Sequence, residues 1–291
     1  MKPAKSKTII ALFIAVLISL GLCFAGGDGG ARIGSISVFA LCGLLAFAIN
    51  WLAFIPANAA NSERYYDLTG SLTYVSMIAA AVLLTPELGL RAQLAAIMVA
   101  VWAVRLGTFL FIRISKDGHD DRFDEIKVAP LRFFFTWTLQ AVWALFTAAC
   151  ALAIITGGKD QSIGLIGSIG IIMWLIGFIV EVIADGQKRA FKRNPKNQGR
   201  FINLGLWSWS RHPNYFGEIL LWCGMAVLAI PVLSGWQWFT LVSPLFVILL
   251  LTRLSGIPTL TKKADKKWGN DADYQAYLAS TSLLFPRPPR K

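Results

Sequence analysis

The chain has 291 residues, of which 56% are hydrophobic and only 15% charged, and its formal net charge is +12. A soluble globular protein carries about 25% charged residues. This composition therefore excludes a globular protein with a water-facing surface, and it also excludes a disordered chain. We predict an all-α membrane protein, a polytopic transmembrane helical bundle of seven to eight spans.

Eight runs are apolar and long enough to cross a bilayer, which takes about 20 residues. In chain order they are 8–25, 33–55, 72–90, 92–112, 133–155, 163–184, 216–233 and 236–254. Only Arg91 separates the third run from the fourth, which favours a tight helical hairpin there. The first run follows three lysines and precedes two glycines, so a cleaved signal peptide is the alternative interpretation of that segment.

The basic residues predict the orientation of the spans. With the N-terminus in the cytoplasm, the cytoplasmic segments hold 24 Lys and Arg residues and the opposite side holds 3. Both termini are then cytoplasmic, and the positive charge needs no nucleic acid as a partner. The four cysteines lie in apolar runs without ligand spacing, and the two histidines are too few for a histidine cluster, so we predict no metal site.

The first polar cluster lies between the second and third spans. Glu63, Tyr66, Asp67 and Gly70 are spaced i, i+3, i+4 and i+7, which places them on one face if the segment is helical. A solvated loop with a helix cap is one interpretation. The other is a pair of hydrogen-bond donors at a substrate carbonyl, since a carboxyl group beside apolar walls can have a raised pKa and stay protonated.

The second cluster is Arg105 with Trp102 in the fourth span. Arg105 lies seven residues before the end of its apolar run. It either extends to the interface or faces the bundle interior and pairs with an anion. The following loop, residues 116–127, has five acidic and three basic residues, so it is not a simple patch for lipid headgroups.

The third cluster runs from Glu181 to Glu218 and carries seven basic residues between 185 and 215. Acidic and basic residues continue one face of the sixth helix, Trp207 offers an aromatic platform, and the stretch Arg211–Tyr215 opens the seventh helix at Pro213. A helix N-terminus beside basic side chains is an anion site, which favours a phosphorylated nucleotide. The alternative is a basic loop that sets topology and touches anionic lipid.

Four segments resemble the membrane steroid 5-alpha-reductases, and most closely a bacterial branch of that superfamily long classed as a domain of unknown function. They are Glu-Arg-Tyr-Tyr-Asp-Leu-Thr-Gly at 63–70, Gly-Arg-Phe at 199–201, Gly-Leu-Trp-Ser-Trp-Ser-Arg-His-Pro-Asn-Tyr-Phe-Gly-Glu at 205–218, and Tyr274-x-x-Tyr277. The similarity covers most of 57–285. We therefore expect an extra transmembrane segment at 1–30 and a reductase-like membrane domain at 31–291, whose cofactor-binding part is 181–291.

The resemblance implies an enzyme that uses NADPH to reduce a carbon–carbon double bond conjugated to a ketone, in a lipid such as a 3-oxo-4-ene steroid. Hydride goes to the beta carbon, and donors stabilise the charge on the ketone oxygen. In the family these donors are a Glu, matched here by Glu63, and a Tyr, whose place is taken by Trp102. Either Tyr66 or Tyr65 replaces that hydroxyl, or the chain acts on a different carbonyl.

The similarity also implies which residues bind the cofactor and the substrate. We predict Asn58 and Trp102 at the substrate. Tyr274 and Tyr277, with Trp268, close over the nucleotide or else belong to a peripheral interfacial helix. No Gly-x-Gly-x-x-Gly follows a strand, so a Rossmann site is excluded. The predicted cofactor-binding residues are Arg105, Asp185, Arg189, Lys192, Arg200, Trp207, Arg211, His212, Asn214, Tyr215, Glu218, Tyr274 and Tyr277.

Two other functions are consistent with parts of the pattern. Isoprenylcysteine and phospholipid methyltransferases share an Arg-His-Pro-x-Tyr core, but S-adenosylmethionine is a cation without phosphate and explains seven basic residues poorly. A transporter is the third hypothesis, although no internal repeat is visible. We expect a multi-pass protein of the bacterial cytoplasmic membrane, with membrane lipids and a small lipid or steroid substrate as partners and no obligate protein partner.

Overall fold

The computed structural model describes residues 2–117, 120–159 and 161–288. In this part of the chain eight helices are long and apolar enough to cross a membrane, which confirms the predicted all-α, multi-span class. The chain divides into two compact units. Unit 1 comprises Met1–Gly164 and Ala229–Ser243, and unit 2 comprises Leu165–Leu228 and Pro244–Lys291.

Unit 1 contains five long helices and a two-stranded antiparallel hairpin. The helices are α1 (Lys2–Gly26), α2 (Val38–Ala59), α3 (Tyr66–Leu84), α4 (Leu90–Asp117) and α5 (Pro130–Thr156); the strands are β1 (Arg32–Ile33) and β2 (Ile36–Ser37); 3-10 turns occupy Asp121–Phe123, Ile230–Val232 and Gly235–Leu241.

Helix α5 is the centre of unit 1. It packs against α1, α2, α3, α4 and the turn Gly235–Leu241, and every residue from 144 to 156 is buried. A helix that is apolar all round is expected to be enclosed by other helices. Burial of α5 therefore organises the unit, while the other helices keep one face outward.

Unit 2 begins with α6 (Gly164–Arg193), the longest helix described. It continues with 3-10 turns at Pro195–Asn197 and Gly205–Ser208, α7 (Pro213–Ala229), α8 (Val242–Leu249), a π-helical turn at Leu250–Leu254, α9 (Gly256–Trp268) and α10 (Ala272–Ser280). Pro213 is the first residue of α7, where its missing N–H costs nothing, as the sequence predicted.

Glycines bring α6 and α7 into backbone contact. A Cβ atom added at Gly177 would lie 2.5 Å from the carbonyl oxygen of Gly217, and one added at Gly170 would lie 2.7 Å from that of Gly224. On each helix the two glycines are seven residues apart, about two turns. This close approach sets the polar side chains of α6 directly against those of α7.

The predicted limits of the third span are wrong. Helix α3 starts at Tyr66 and ends at Leu84, because Thr85 precedes Pro86 and is extended, as a residue before proline usually is. The predicted helical hairpin is confirmed, since α3 and α4 pack against each other and are joined by the five-residue loop 85–89, but its turn precedes Arg91. Arg91 instead lies buried in α4 and donates to the carbonyl oxygens of Ser162 and Ile163, at 2.6 and 3.1 Å.

Candidate functional site

The first candidate site, in unit 1, is centred on Glu63. This residue precedes α3 rather than lying on it, so the helical face predicted for Glu63 and Tyr66 does not form. One carboxylate oxygen accepts from the backbone N–H of Asp120 at 3.1 Å, and the other accepts from Nζ of Lys127 at 3.0 Å. Glu63 is only 6% exposed. The carboxylate is therefore an acceptor in an enclosed ion pair.

The environment of Glu63 fixes its charge. Burial raises the pKa of the carboxyl group, but the donors from Asp120 and Lys127 outweigh it, and the pKa lies below its ordinary value. Correspondingly, the hydrogen bond to Glu63 raises the pKa of Lys127. In this structure Glu63 is therefore an ionised acceptor, because donors surround it; its protonated form was one of the alternatives that the sequence left open.

The two tyrosines beside Glu63 differ. The hydroxyl of Tyr66 donates to the carbonyl oxygen of Thr136 at 3.1 Å, and its ring packs edge-on against Phe123 and Trp137. Tyr65 is 56% exposed, with the guanidinium of Arg64 over its ring. The phenol proton of Tyr66 is thus already used, and Tyr65 lies at the surface.

The remaining sites predicted in unit 1 are placed as follows. Trp102 is buried and meets Tyr74 edge-on at 5.1 Å. Arg105 is half-buried, with its guanidinium 5.5 Å from the Phe109 ring centroid. The side-chain oxygen of Asn58 is buried without a hydrogen-bond partner among the described residues. His119 lies outside the described residues.

The second candidate site, in unit 2, joins the facing ends of α6 and α7. Three carboxylates, Glu181, Asp185 and Glu218, are buried there. Asn214 donates to Oδ1 of Asp185 at 3.3 Å, and the backbone at Glu181 lies against Gly217. Glu181 and Asp185 are one turn apart on α6. They thus face Asn214 and Glu218, which are one turn apart on α7. Charged residues are almost never fully buried without a partner, and all three carboxylates have interaction partners in the structure.

Arg211 and His212 lie at the start of α7. The His212 ring is buried and stacks on Tyr215, with 5.6 Å between ring centroids. Burial, together with Lys188 and Arg211, lowers the pKa of His212 to about 3, so the imidazole is neutral at pH 7. Two buried nitrogens, Nε of Arg211 and Nδ1 of His212, have no hydrogen-bond partner in the described part of the chain. Such buried atoms without a partner are unusual and mark this end of α7 as a candidate site.

Trp207 is not the open platform that the sequence predicted. Its indole N–H donates to the carbonyl oxygen of Ala184 at 3.0 Å, and its own carbonyl accepts from the hydroxyl of Tyr277 at 2.7 Å. The ring is buried, and Nζ of Lys188 lies 4.4 Å from its centroid. Trp207 is therefore hydrogen-bonded to α6, and the ammonium of Lys188 lies over its ring, so the ring is not an exposed stacking surface.

The tyrosines near the C-terminus belong to an aromatic cluster. Phe201 contacts the rings of Trp268, Tyr274 and Tyr277, and the Trp268 indole donates to the carbonyl oxygen of Gly199 at 2.6 Å. The cluster fastens α9 and α10 to the segment that follows α6. A role of these rings at a nucleotide stays a prediction.

The basic residues of unit 2 differ in burial. Lys192 and Arg200 are exposed, whereas Lys188, Arg189 and Arg211 are half-buried. Glu181, the first residue of the third polar cluster of the sequence, lies in the unit 2 site. One relevant residue was missed: nothing in the sequence linked Lys127 to Glu63, because that contact joins distant parts of the chain.

Comparison with known proteins shows a family that matches most of the chain and several distant relatives. Residues 53–281 match the family described as a protein of unknown function, DUF1295. The rat 3-oxo-5-alpha-steroid 4-dehydrogenase 1 is 27% identical over 40% of this chain and 40% of its own length. A probable O-methyltransferase, ustE, of Ustilaginoidea virens is 29% identical over 37% and 38%.

An uncharacterized protein of Schizosaccharomyces pombe is 23% identical over 68% of this chain and 64% of its own length. The chain thus covers between 38% and 64% of the length of these relatives. No solved structure matches it. The resemblance to the membrane steroid 5-alpha-reductase superfamily is supported by the dehydrogenase relatives, and the match over 53–281 shows that the chain belongs to the DUF1295 family.

Proposed function

We propose that this protein is a membrane-embedded reductase that uses NADPH to saturate a carbon–carbon double bond conjugated to the ketone of a lipid, such as a 3-oxo-4-ene steroid. The relatives named 3-oxo-5-alpha-steroid 4-dehydrogenase support the reaction class. The observation that carries the proposal is the pair of buried, unpartnered nitrogens on Arg211 and His212, beside the ammonium of Lys188.

The residues of unit 2 fit NADPH. Lys188 and Arg211 offer positive charge near His212 at the N-terminus of α7, where phosphate groups bind well, and Arg189 follows Lys188 on α6. Asp185, Asn214 and Glu218 offer acceptors and an amide of the kind that holds ribose hydroxyls and a carboxamide. When bound, NADPH supplies a hydride for the beta carbon of the substrate. The neutral His212 adds no further positive charge, and its free nitrogen accepts or donates one hydrogen bond.

Unit 1, taken by itself, offers groups that suit a ketone. The substrate needs donors at its oxygen, because negative charge develops there as the double bond is reduced. Glu63 holds Lys127 and the Asp120 backbone in place, beside the aromatic cluster of Phe123, Phe133 and Trp137. The ammonium and the backbone N–H suit a carbonyl oxygen, whereas the three aromatic residues are buried and form packed core.

A methyltransferase is the second candidate, because one relative is named a probable O-methyltransferase. S-Adenosylmethionine is a cation without phosphate, so the buried carboxylates Glu181, Asp185 and Glu218 suit it. It gives no reason for the half-buried cations Lys188, Arg189 and Arg211. Charge therefore favours the dinucleotide.

A ligand panel separates the two candidates. The purified protein in detergent is heated with NADPH, NADH or S-adenosylmethionine, and its melting temperature is recorded. A ligand at about 100 times its Kd stabilises the folded state by roughly 2.7 kcal/mol. We expect NADPH to raise the melting temperature most and S-adenosylmethionine to leave it unchanged. Stabilisation by S-adenosylmethionine alone would refute the reductase.

A further inference from the structure

Helix α9 carries a basic surface that the proposed cofactor site does not use. Its 13 residues include four lysines and a single acidic residue, Asp265. The lysines are spaced i, i+1, i+4 and i+5, which places them on one side of the helix, and all four are exposed. We call this surface the lysine face; it consists of Lys262, Lys263, Lys266 and Lys267.

The opposite side of α9 packs on the rest of unit 2. Ile257 is buried, and Ala264 and Trp268 are half-buried; their spacing of i, i+7 and i+11 puts them on one face of the helix. Asp265 accepts a hydrogen bond from the hydroxyl of Tyr274 at 3.4 Å, so it also contacts this unit. The lysine face therefore points away from the unit, and its partner lies outside it.

Helix α9 directly follows the last apolar helix of the chain. Leu245, Leu249 and Leu254 are exposed along α8 and the π-helical turn, and exposed leucines on a membrane span contact lipid tails. Helix α9 begins at Gly256, two residues after the last of these leucines. The polar headgroup layer adds about 5–7 Å to each side of the hydrocarbon core. The lysine face thus begins close to that layer.

Both ends of α9 are fastened near the ends of other spans. At its start, a Cβ atom added at Gly256 would lie 2.9 Å from the ring of Tyr215, near the beginning of α7. At its end, the indole N–H of Trp268 donates to the carbonyl oxygen of Gly199, in the segment after α6, at 2.6 Å. Helix α9 therefore lies across this end of unit 2. Its lysines stay near the membrane surface, which matters because salt screens charges beyond about 8 Å.

We propose that the lysine face of α9 is a docking surface for the anionic headgroups of phospholipids in the adjoining leaflet. Clusters of about four to eight basic residues beside a membrane span attract such lipids, and ammonium groups bind phosphate as point charges without a fixed geometry. A lipid fits this surface better than an acidic peptide does, because the exposed leucines of the preceding span bring lipid to it. The inference goes beyond the proposed function and does not depend on NADPH.

The test measures lipid binding by the full-length protein in a neutral detergent. Short-chain phosphatidylglycerol, phosphatidylcholine of the same chain length, and inorganic phosphate are titrated separately, and the Kd of each is recorded. We expect the wild-type protein to bind phosphatidylglycerol most tightly. The double variant Lys262→Gln with Lys266→Gln should bind it roughly tenfold more weakly or worse, because each lysine near an anionic surface contributes about fivefold. Its affinity for phosphatidylcholine should not change.

The matched control is Lys5→Gln with Lys7→Gln, which removes two exposed lysines at the start of α1 and should leave the affinity for phosphatidylglycerol as in wild type. Equal losses in the two double variants, or none in the α9 variant, would overturn the proposal. So would inorganic phosphate that binds as tightly as the lipid. The α9 variant should keep the wild-type melting temperature and NADPH affinity; loss of NADPH binding in it would assign the lysine face to the cofactor instead.

The outcome is separate from that of the proposed function. A wild-type protein that binds phosphatidylglycerol through α9 but does not bind NADPH would refute the reductase and support the docking surface. A protein that binds NADPH without any preference for phosphatidylglycerol would do the reverse.

Discussion

Glu63 and His212 are both enclosed titratable residues, but the structure favours the charged form of Glu63 and the neutral form of His212. Glu63 is surrounded by donors, so burial of its charge is offset by an ammonium and a backbone N–H. His212 is surrounded by positive charge and burial, so it stays neutral and keeps an unpartnered nitrogen. A buried polar atom without a partner costs free energy, and such groups cluster at functional sites. His212 is therefore a stronger indication of a ligand than the satisfied Glu63.

The low pKa of His212 predicts a pH-dependent stability. Its pKa is about 3 in the folded protein and ordinarily 6.5, so below pH 6.5 the unfolded chain binds a proton that the folded protein does not. Stability should therefore fall as the pH drops from 6.5 toward 3, by at most about 1.4 kcal/mol per pH unit. Melting temperatures between pH 7 and 5 should decline less in His212→Gln, and the same decline in both proteins would contradict the lowered pKa.

Helices α6 and α7 carry the candidate nucleotide site, and their contact depends on glycine. Gly177→Ala would place a Cβ atom 2.5 Å from backbone atoms of Gly217 and Leu221. The helices would have to move apart, at a cost of about 1–3 kcal/mol. We expect a lower melting temperature and weaker NADPH binding.

Gly186→Ala on the same helix is the matched control, because no atom lies within 4 Å of its added Cβ. Alanine is favoured over glycine in a helix interior, so this variant should be as stable as wild type or more so. Equal melting temperatures for both alanine variants would show that the glycine contact does not constrain the pair.

Helix positions were predictable from hydropathy, but several boundaries were not. Runs of about 20 apolar residues gave the number of membrane-spanning helices, and Pro213 gave the start of α7. The start of α3 at Tyr66 was missed, because polar residues of its first turns are tolerated where the helix packs on others. The π-helical turn at Leu250–Leu254 left no signal in the sequence either, since it depends on packing rather than composition.

For the whole molecule, the basic residues predict which ends of the helices face the cytoplasm. Lys196 lies in the segment after α6, and Lys159 lies before it, so the two should be on opposite sides of the membrane. Lys196→Cys should react with a membrane-impermeant maleimide only from the cytoplasmic side, and Lys159→Cys only from the other. The unsubstituted protein shows the background labelling, and reversed labelling would invert the proposed orientation.

The sequence indicated which residues form the candidate sites, but it did not indicate which contacts those residues make. The basic stretch around Arg211 and the acidic residue Glu63 were identified from residue type and spacing alone. The partners of these residues were not, because the Glu63–Lys127 pair joins positions 64 residues apart, and the burial of Trp207 depends on hydrogen bonds to Ala184 and Tyr277. Local patterns predict which residues are unusual, and tertiary packing decides what each one contacts.

In the proposed function, unit 2 binds the phosphate groups of NADPH through cations at the start of α7. The most direct test is the Kd for NADPH of the wild-type protein, of Arg211→Ala, and of Arg193→Ala, which removes an exposed arginine at the end of α6. We expect Arg211→Ala to weaken binding by at least about tenfold, as for the loss of a charged hydrogen bond, and Arg193→Ala to bind as wild type. Wild-type protein that fails to bind NADPH at millimolar concentration, or equal affinity in Arg211→Ala, would contradict it.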